Sequence, residues 1–214
     1  MEENESENKV IKEILEWAFC VILAIVIALA TRFYLVTSSV VQQESMYPTL
    51  KENERVLLSR IARTTKGEYK RGDIVTFEAP SEIKKGVDVD ETNPIAIYNY
   101  NPEGVGQKLI YYVLEFRKVS YIKRIIGLPG ERVTIYNGKV YINEREYLED
   151  YLAEGVTTKT VYYNDVIVPE GYVYVMGDNR DGSMDSRAFG CIPIEKIEGK
   201  VKFRYWPLNE FGGV

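Results

Sequence analysis

The chain has 214 residues, room for one domain of ordinary size plus an appendage, and a formal net charge of −5 with no basic stripe. Nucleic acid is therefore not an expected partner. It contains no histidine, which excludes Ser-His-Asp and Cys-His hydrolases and His-ligated metal centres; neither a metal nor a cofactor is expected.

The first 16 residues are acidic, with Glu2, Glu3, Glu5, Glu7, Glu13 and Glu16 against Lys9 and Lys12. From Trp17 to Thr31 there is no charge, and beyond Arg32 the apolar character resumes in Phe33, Tyr34, Leu35 and Val36. Ile14 to Val36 is about 23 residues, enough to cross ~30 Å of hydrocarbon with a slight tilt. Arg32 can snorkel to the headgroups, and Trp17 and Tyr34 suit the two interfaces. Ala28-Leu29-Ala30 resembles a small-x-small cleavage site. A cleaved leader, however, starts basic and ends near such a site, and this run does neither. The expectation is a permanent single-pass anchor in contact with the lipid bilayer. Lys9 and Lys12 before the span place the N-terminus on the cytoplasmic side. Cys20 lies within the run and Cys191 far downstream, with neither Cys-x-x-Cys nor zinc-ligand spacing, so both are expected to be inert buried thiols.

Ser45 follows in Glu44-Ser45-Met46-Tyr47-Pro48-Thr49-Leu50. It is about nine residues past the span, so at ~3.3–3.6 Å per residue it lies within about 30 Å of the bilayer surface. A serine before a Pro-Thr turn is ordinarily a turn residue, and location is what singles this one out.

The texture then changes to short β-branched and aromatic runs at 55–58, 73–77, 133–136, 139–142 and 172–175. Asn137-Gly138 between two of them signals a two-residue hairpin. The body of about 175 residues reads as mainly β, large enough for its own core. Residues 81–116, rich in charge, Pro, Gly and Asn, read as a long loop or an excursion with its own strands.

In Tyr121-Ile122-Lys123-Arg124-Ile125-Ile126, strand alternation puts Lys123 on one face and Arg124 on the other, each among apolar neighbours. Two solvated charges on an edge strand are the plain reading; a lysine held in apolar surroundings is the sharper one. A free lysine, with a pKa near 10.4, is neutral in only about one molecule in 2,500 at pH 7. Burial lowers that pKa by up to ~3–5 units and makes a usable base. The last polar segment, Gly177-Asp178-Asn179-Arg180 through Ser183-Met184-Asp185-Ser186-Arg187, lacks the ligands of an EF-hand loop. As a scaffold it offers Asp–Arg pairs and hydroxyls that could orient a neighbouring lysine.

These segments, with Arg71-Gly72-Asp73-Ile74-Val75-Thr76-Phe77 and Gly127-Leu128-Pro129-Gly130, resemble the four sequence boxes of bacterial type I signal peptidases, in order and after an N-terminal span. They cover roughly a fifth of the chain. The resemblance implies a membrane-bound serine endopeptidase that removes signal peptides from exported preproteins at small-x-small sites. It implies Ser45 as nucleophile, Lys123 as general base, and Ser183 hydrogen-bonded to the lysine. Asp178, Arg180, Asp185 and Arg187 brace the site. The implied fold is mainly β, with antiparallel coiled, barrel-like sheets and an apolar surface that dips into the bilayer. Residues 1–36 then form a short cytoplasmic tail and transmembrane anchor. Residues 37–214 form an extracytoplasmic catalytic domain on a bacterial cytoplasmic membrane. One departure is Gln43, where the family has Gly or Ser near the oxyanion hole; the Ser45 backbone N–H would remain and the Gln43 amide could add a donor.

Three other readings compete. Ser81-Glu82-Ile83-Lys84 matches Ser-x-x-Lys, but no Ser-Asp-Asn or Lys-Thr-Gly accompanies it. A repressor-type self-cleaving protease would need a DNA-binding module instead of a span. A signal-peptidase-like assembly chaperone without catalysis should have lost the serine or the lysine, and both are present.

Overall fold

The computed structural model describes residues 2–65, 67–83, 90, 92–113, 115 and 118–214. Helix α1 (Glu2–Tyr34) carries, from Lys9 to Tyr34, the one helical stretch among the described residues that is long and apolar enough to cross a bilayer. None of its apolar window is buried by the rest of the chain, and Trp17, Phe19 and Ile22 stand fully outward. Each such side chain gains ~1.5–3 kcal/mol on leaving water, so a stretch apolar all round fits apolar surroundings such as a bilayer. Cys20 lies on this outer surface, exposed, because nothing packs against α1 there; Cys191 is buried as expected.

The helix stops two residues short of the sequence-based limit. Leu35 N–H still donates to Thr31, but Val36 already opens strand β1 (Val36–Val40), which pairs antiparallel with β2 (Arg55–Ser59) from Val36↔Ser59 to Val40↔Arg55. A short helix α2 (Ile61–Thr65) ties back to the end of α1. Arg60 N–H donates to Leu35 O at 2.8 Å and Thr64 Oγ1 to Tyr34 O at 2.9 Å.

Strand β3 (Ile74–Glu78) is buried at every position. Between it and β4 (Ser120–Gly127) lie α3 (Gly104–Lys108) and a single π turn, Leu109–Val113. The described part of 81–116 forms isolated bridges, Glu82↔Ile97 and Ile95↔Cys191, and no strands of its own. Lys84–Val89, Glu91, Leu114 and Phe116 lie outside the described residues, so the Ser81–Lys84 spacing has no geometry to report.

The hairpin β5 (Arg132–Tyr136) to β6 (Lys139–Ile142) turns at Asn137-Gly138, with φ of 49° and 77°. Both lie in the left-handed region that a two-residue turn needs and that Asn and Gly tolerate. Then come β7 (Arg145–Glu146), β8 (Asp165–Ile167), β9 (Tyr172–Met176), helix α4 (Ser186–Phe189), β10 (Ile192–Pro193), β11 (Ile197–Trp206) and β12 (Gly212–Gly213).

Two open antiparallel sheets result. One runs β1-β2-β11-β3-β4-β9-β10, with β12 added to β11; the other runs β7-β6-β5-β8. Neither closes into a barrel. Alternation along β4 sends Ile125 into one core with Val75, Phe77 and Val175, and Ile126 into another with Val133, Val140 and Tyr174. A third core of Val41, Met46, Leu50, Val56 and Ile74 lies under the loop that follows β1.

Candidate active site

Ser45 occupies a single 3-10 turn, Glu44–Met46, fixed from both sides. Met46 and Leu50 are buried in the core beneath it, and Val41 exchanges hydrogen bonds with Glu54 and Asn53. Across the turn, Asn179 N–H donates to Ser45 O at 3.1 Å and its side-chain amide to Glu44 O at 3.2 Å. Gly177 lets this loop close. A Cβ on it would sit 2.4 Å from Ser45 O and 2.2 Å from Ser183 Oγ, so only glycine permits the approach.

Lys123 projects from β4, held by pairing with Val75 of β3. Its Nζ stands 2.8 Å from Ser45 Oγ and 2.9 Å from Ile122 O. Ser45 is 3% exposed and Lys123 2%. Burial pushes the lysine pKa down to about 8, against the smaller upward pull of Asp185 and Asp178. At that value roughly one lysine in ten is neutral at pH 7, far above an ordinary lysine.

The supporting side chains form two buried networks. Asp178 accepts from Arg124 Nε at 2.9 Å, from Arg124 Nη2 at 2.7 Å and from Thr49 Oγ1 at 2.5 Å. Arg124 also donates to Gly72 O at 3.0 Å, and its guanidinium carbon lies 3.9 Å from the centre of the Tyr151 ring. In the second network Asp185 accepts from Gly177 N–H at 3.1 Å and from Arg187 Nε and Nη2 at 2.9 and 2.8 Å. Arg187 donates on to Arg180 O at 2.6 Å, and Arg180 pairs with Glu149 and Thr158. Only Asp185–Arg187 is thus an Asp–Arg pair within the loop itself. Asp178 and Arg180 find partners outside it, in Arg124 and Glu149, which spacing along the loop could not reveal. Arg124 was legible only as a cation on the opposite face of the strand from Lys123.

Ser183 lies beside Gly177, but among the described residues its buried Oγ has no hydrogen-bond partner, and Lys123 Nζ bonds Ser45 and Ile122. The implied Ser183–Lys123 hydrogen bond is therefore not formed; the carbonyl of Ile122, on the lysine's own strand, is nearer to hand. Gln43 is exposed, extended at φ −140°, and caps the turn without a side-chain hydrogen bond. Among the described residues, no three His, Cys, Asp or Glu side chains converge as a metal site.

Ser45 and Lys123 open into a groove of about 420 Å³. One wall is formed by Ser38 to Gln43 and the other by Lys118 to Lys123. In the sheet β1 pairs only with β2, while β9 meets β4 only from Arg124 onward. Both walls therefore turn strand edges toward the groove, and unpaired edges take up extended chain through main-chain hydrogen bonds.

Residues 14–206 match the family model described as signal peptidase, peptidase S26. The chain is similar to signal peptidase I of Bacillus licheniformis, with 36% identity over 98% of this chain and 97% of the relative. It is also similar to signal peptidase IB of Staphylococcus aureus strain COL, with 33% identity over 94% and 93%. A crystal structure of a signal peptidase I from Enterococcus faecalis V583 aligns at 30% identity and a TM-score of 0.38, over 62% of this chain and 96% of that one.

Proposed function

The chain belongs to the S26 family of signal peptidases, and on that premise we propose that it is a membrane-anchored serine endopeptidase that removes signal peptides from preproteins, with Ser45 as nucleophile and Lys123 as general base. The observation that carries this reading is the 2.8 Å contact between two buried groups, Ser45 Oγ and Lys123 Nζ. A lysine can serve as base only where its neutral form is accessible, and desolvation at this position supplies that.

The substrate's extended segment lies in the groove between the two strand edges. As Oγ attacks the scissile carbonyl carbon, its proton passes to neutral Nζ and the carbonyl electrons become an oxyanion facing the Ser45 backbone N–H. Collapse expels the new N-terminal amine, which takes the proton from Nζ and leaves an acyl-enzyme. Water then attacks the ester carbonyl, gives its proton to Nζ, and frees Ser45 when that proton returns to Oγ. Small-x-small sites are the cleavage points this reading expects. We assign the second donor to the amide of Gln43, which is exposed and lines the groove.

Purified full chain should cleave a preprotein after a small-x-small motif, and Ser45→Ala should abolish cleavage without loss of the folded domain. Full activity in Ser45→Ala would overturn the assignment. We place the N-terminus in the cytoplasm and the β domain outside. Protease added to intact spheroplasts then digests the domain and leaves the helix; protection of the whole chain reverses the topology.

A further inference from the structure

The connection between β7 and β8, residues 147–164, has no helix or strand of its own. Irregular connections longer than ~12–15 residues are uncommon in compact domains and usually carry function. This one is held along its length. Tyr147 N–H donates to Val140 O at 2.8 Å, Thr158 N–H to Gly138 O at 2.8 Å, and Tyr162 and Tyr163 N–H both to Arg187 O at 2.9 Å. It belongs to the small sheet, yet it reaches across to the loop that packs on the Ser45 turn.

Three of its side chains make that crossing. The Glu149 carboxylate accepts from Arg180 Nη1 at 2.8 Å and from Nη2, and Tyr151 Oη donates to the same carboxylate. Thr158 Oγ1 accepts from Arg180 Nη1. The Tyr151 ring lies on the guanidinium of Arg124, 3.9 Å from its central carbon. The Arg180 side chain is 0% exposed, and Glu149 is the one carboxylate ion-paired with it among the described residues.

Arg180 in turn fixes the peptide of Gly177. Its Nε donates to Gly177 O at 3.1 Å, while Gly177 N–H donates to Asp185. Arg187 grips Asp185 and donates to Arg180 O, so the loop's own hydrogen bonds close into a ring. Gly177 is the point where this ring meets the backbone of Ser45 too closely for a side chain. Glu149 is the charge that holds the Arg180 end of it.

We propose that Glu149 and Tyr151 are positioning residues for the reaction at Ser45. Glu149 locks Arg180 and with it the Gly177 carbonyl; Tyr151 lies across Arg124 and orients Glu149 through its hydroxyl. Together they join the two buried networks of the site, Arg124–Asp178 and Asp185–Arg187, to the small sheet. A buried guanidinium deprived of its carboxylate turns to another acceptor, and the Gly177 peptide moves with it. That peptide packs on the Ser45 turn, where a displacement on the order of 1 Å is felt in the rate. The assignment rests on Ser45 and Lys123 being the catalytic pair.

The test is steady-state cleavage of a preprotein by the full chain in detergent, well below the Tm of each variant. Glu149→Gln, which keeps the shape and loses the charge, should lower kcat about tenfold or more and leave KM within about twofold. Tyr151→Phe keeps the ring over Arg124 and should lose less than Tyr151→Leu; equal losses would overturn the role of the ring. Leu148→Ala, next to them but 80% exposed, should match the wild type. Glu149→Leu/Arg180→Met separates position from stability, because apolar groups of similar size should restore the Tm lost in Glu149→Leu. Its kcat should stay low, since the Arg180 hydrogen bond to Gly177 O is gone. Recovery of kcat together with Tm would make the pair merely structural and overturn the proposal. Normal kcat in Glu149→Gln, or a loss confined to KM, would do the same. If cleavage proves independent of Ser45, the catalytic reading falls and this assignment with it. Cleavage that needs Ser45 but not Glu149 overturns the assignment alone.

Discussion

The Asp178 carboxylate is gripped by both Nε and Nη2 of Arg124, at 2.9 and 2.7 Å, one residue along the strand from Lys123. Asp178 is 1% exposed, so its charge is tolerable only because that fork is there. Arg124→Ala would strand it, at a cost of about 3–5 kcal/mol. Much of this should return in Arg124→Met/Asp178→Leu, where both charges are gone. A second effect is electrostatic. Asp178 already pulls the Lys123 pKa upward, and without the guanidinium its charge is uncompensated. In Arg124→Ala the acid limb of kcat/KM should therefore move to higher pH. Chemical denaturation and a pH–rate profile check the two parts separately; an unmoved limb would make Arg124 purely structural.

Gly177→Ala isolates geometry from charge. The added Cβ falls 2.4 Å from the backbone oxygen of Ser45, so the 3-10 turn must shift while no titratable group changes. A displacement on the order of 1 Å at a reacting atom costs about 10²-fold in rate. The loss should fall on kcat more than on KM, because the strand edges of the groove are untouched. A variant with normal kcat would show that the turn has slack the packing does not suggest.

How much of this was legible beforehand follows from which interactions are local. The hairpin at Asn137-Gly138 and the alternation of Ile125 and Ile126 are dictated by two-residue periodicity and turn sterics, and they were readable. Ser45 and Lys123 were nominated by type, context and resemblance, but their separation in space was not readable from two positions 78 apart in sequence. The pairings Asp178–Arg124 and Arg180–Glu149 were missed for the same reason: each joins segments more than 30 residues apart, where charge alone does not select a partner. Helix α1 ended at Tyr34 instead of Val36 because β-branched Val36 and Thr37 found ladder partners in β2, a tertiary effect invisible to a hydropathy count.

Lys123→Arg separates a base from a structural cation. Arginine keeps the charge and most of the bulk, but it does not deprotonate in the working range. If Lys123 merely supplies charge, turnover of the preprotein should survive. As the base, its replacement should cost about 10²–10⁴-fold or more, close to the loss in Lys123→Ala. In the wild type, kcat/KM should rise about tenfold per pH unit below the lysine pKa of about 8 and level off above it. Retention of about half of normal turnover in Lys123→Arg would exclude the Ser–Lys mechanism.

The same lysine should be a liability to the fold. Its pKa is about 8 when folded against an ordinary 10.5, and the first cause is burial. Between those values the unfolded chain binds a proton that the folded chain does not, so this group makes stability rise with pH across the window. Below pH 8 both states are protonated and the folded state carries the full desolvation cost, on the order of 3 kcal/mol at about 1.4 kcal/mol per pH unit. Lys123→Met removes the charge, fills similar space and gives up hydrogen bonds to Ser45 and Ile122 worth about 1 kcal/mol each. The net expectation at pH 7 is an inactive protein more stable by about 1–2 kcal/mol, or roughly 2–8 °C in Tm for a chain of this size. That advantage should shrink from pH 8 upward and be lost or reversed by pH 10.5. Taking the difference between variant and wild type at each pH cancels the contribution of the buried tyrosines, whose pKa values burial raises above the ordinary 10. A difference that stays flat from pH 7 to pH 10.5 would mean that Lys123 is not desolvated in the folded protein, and the case for it as a base would fail with it.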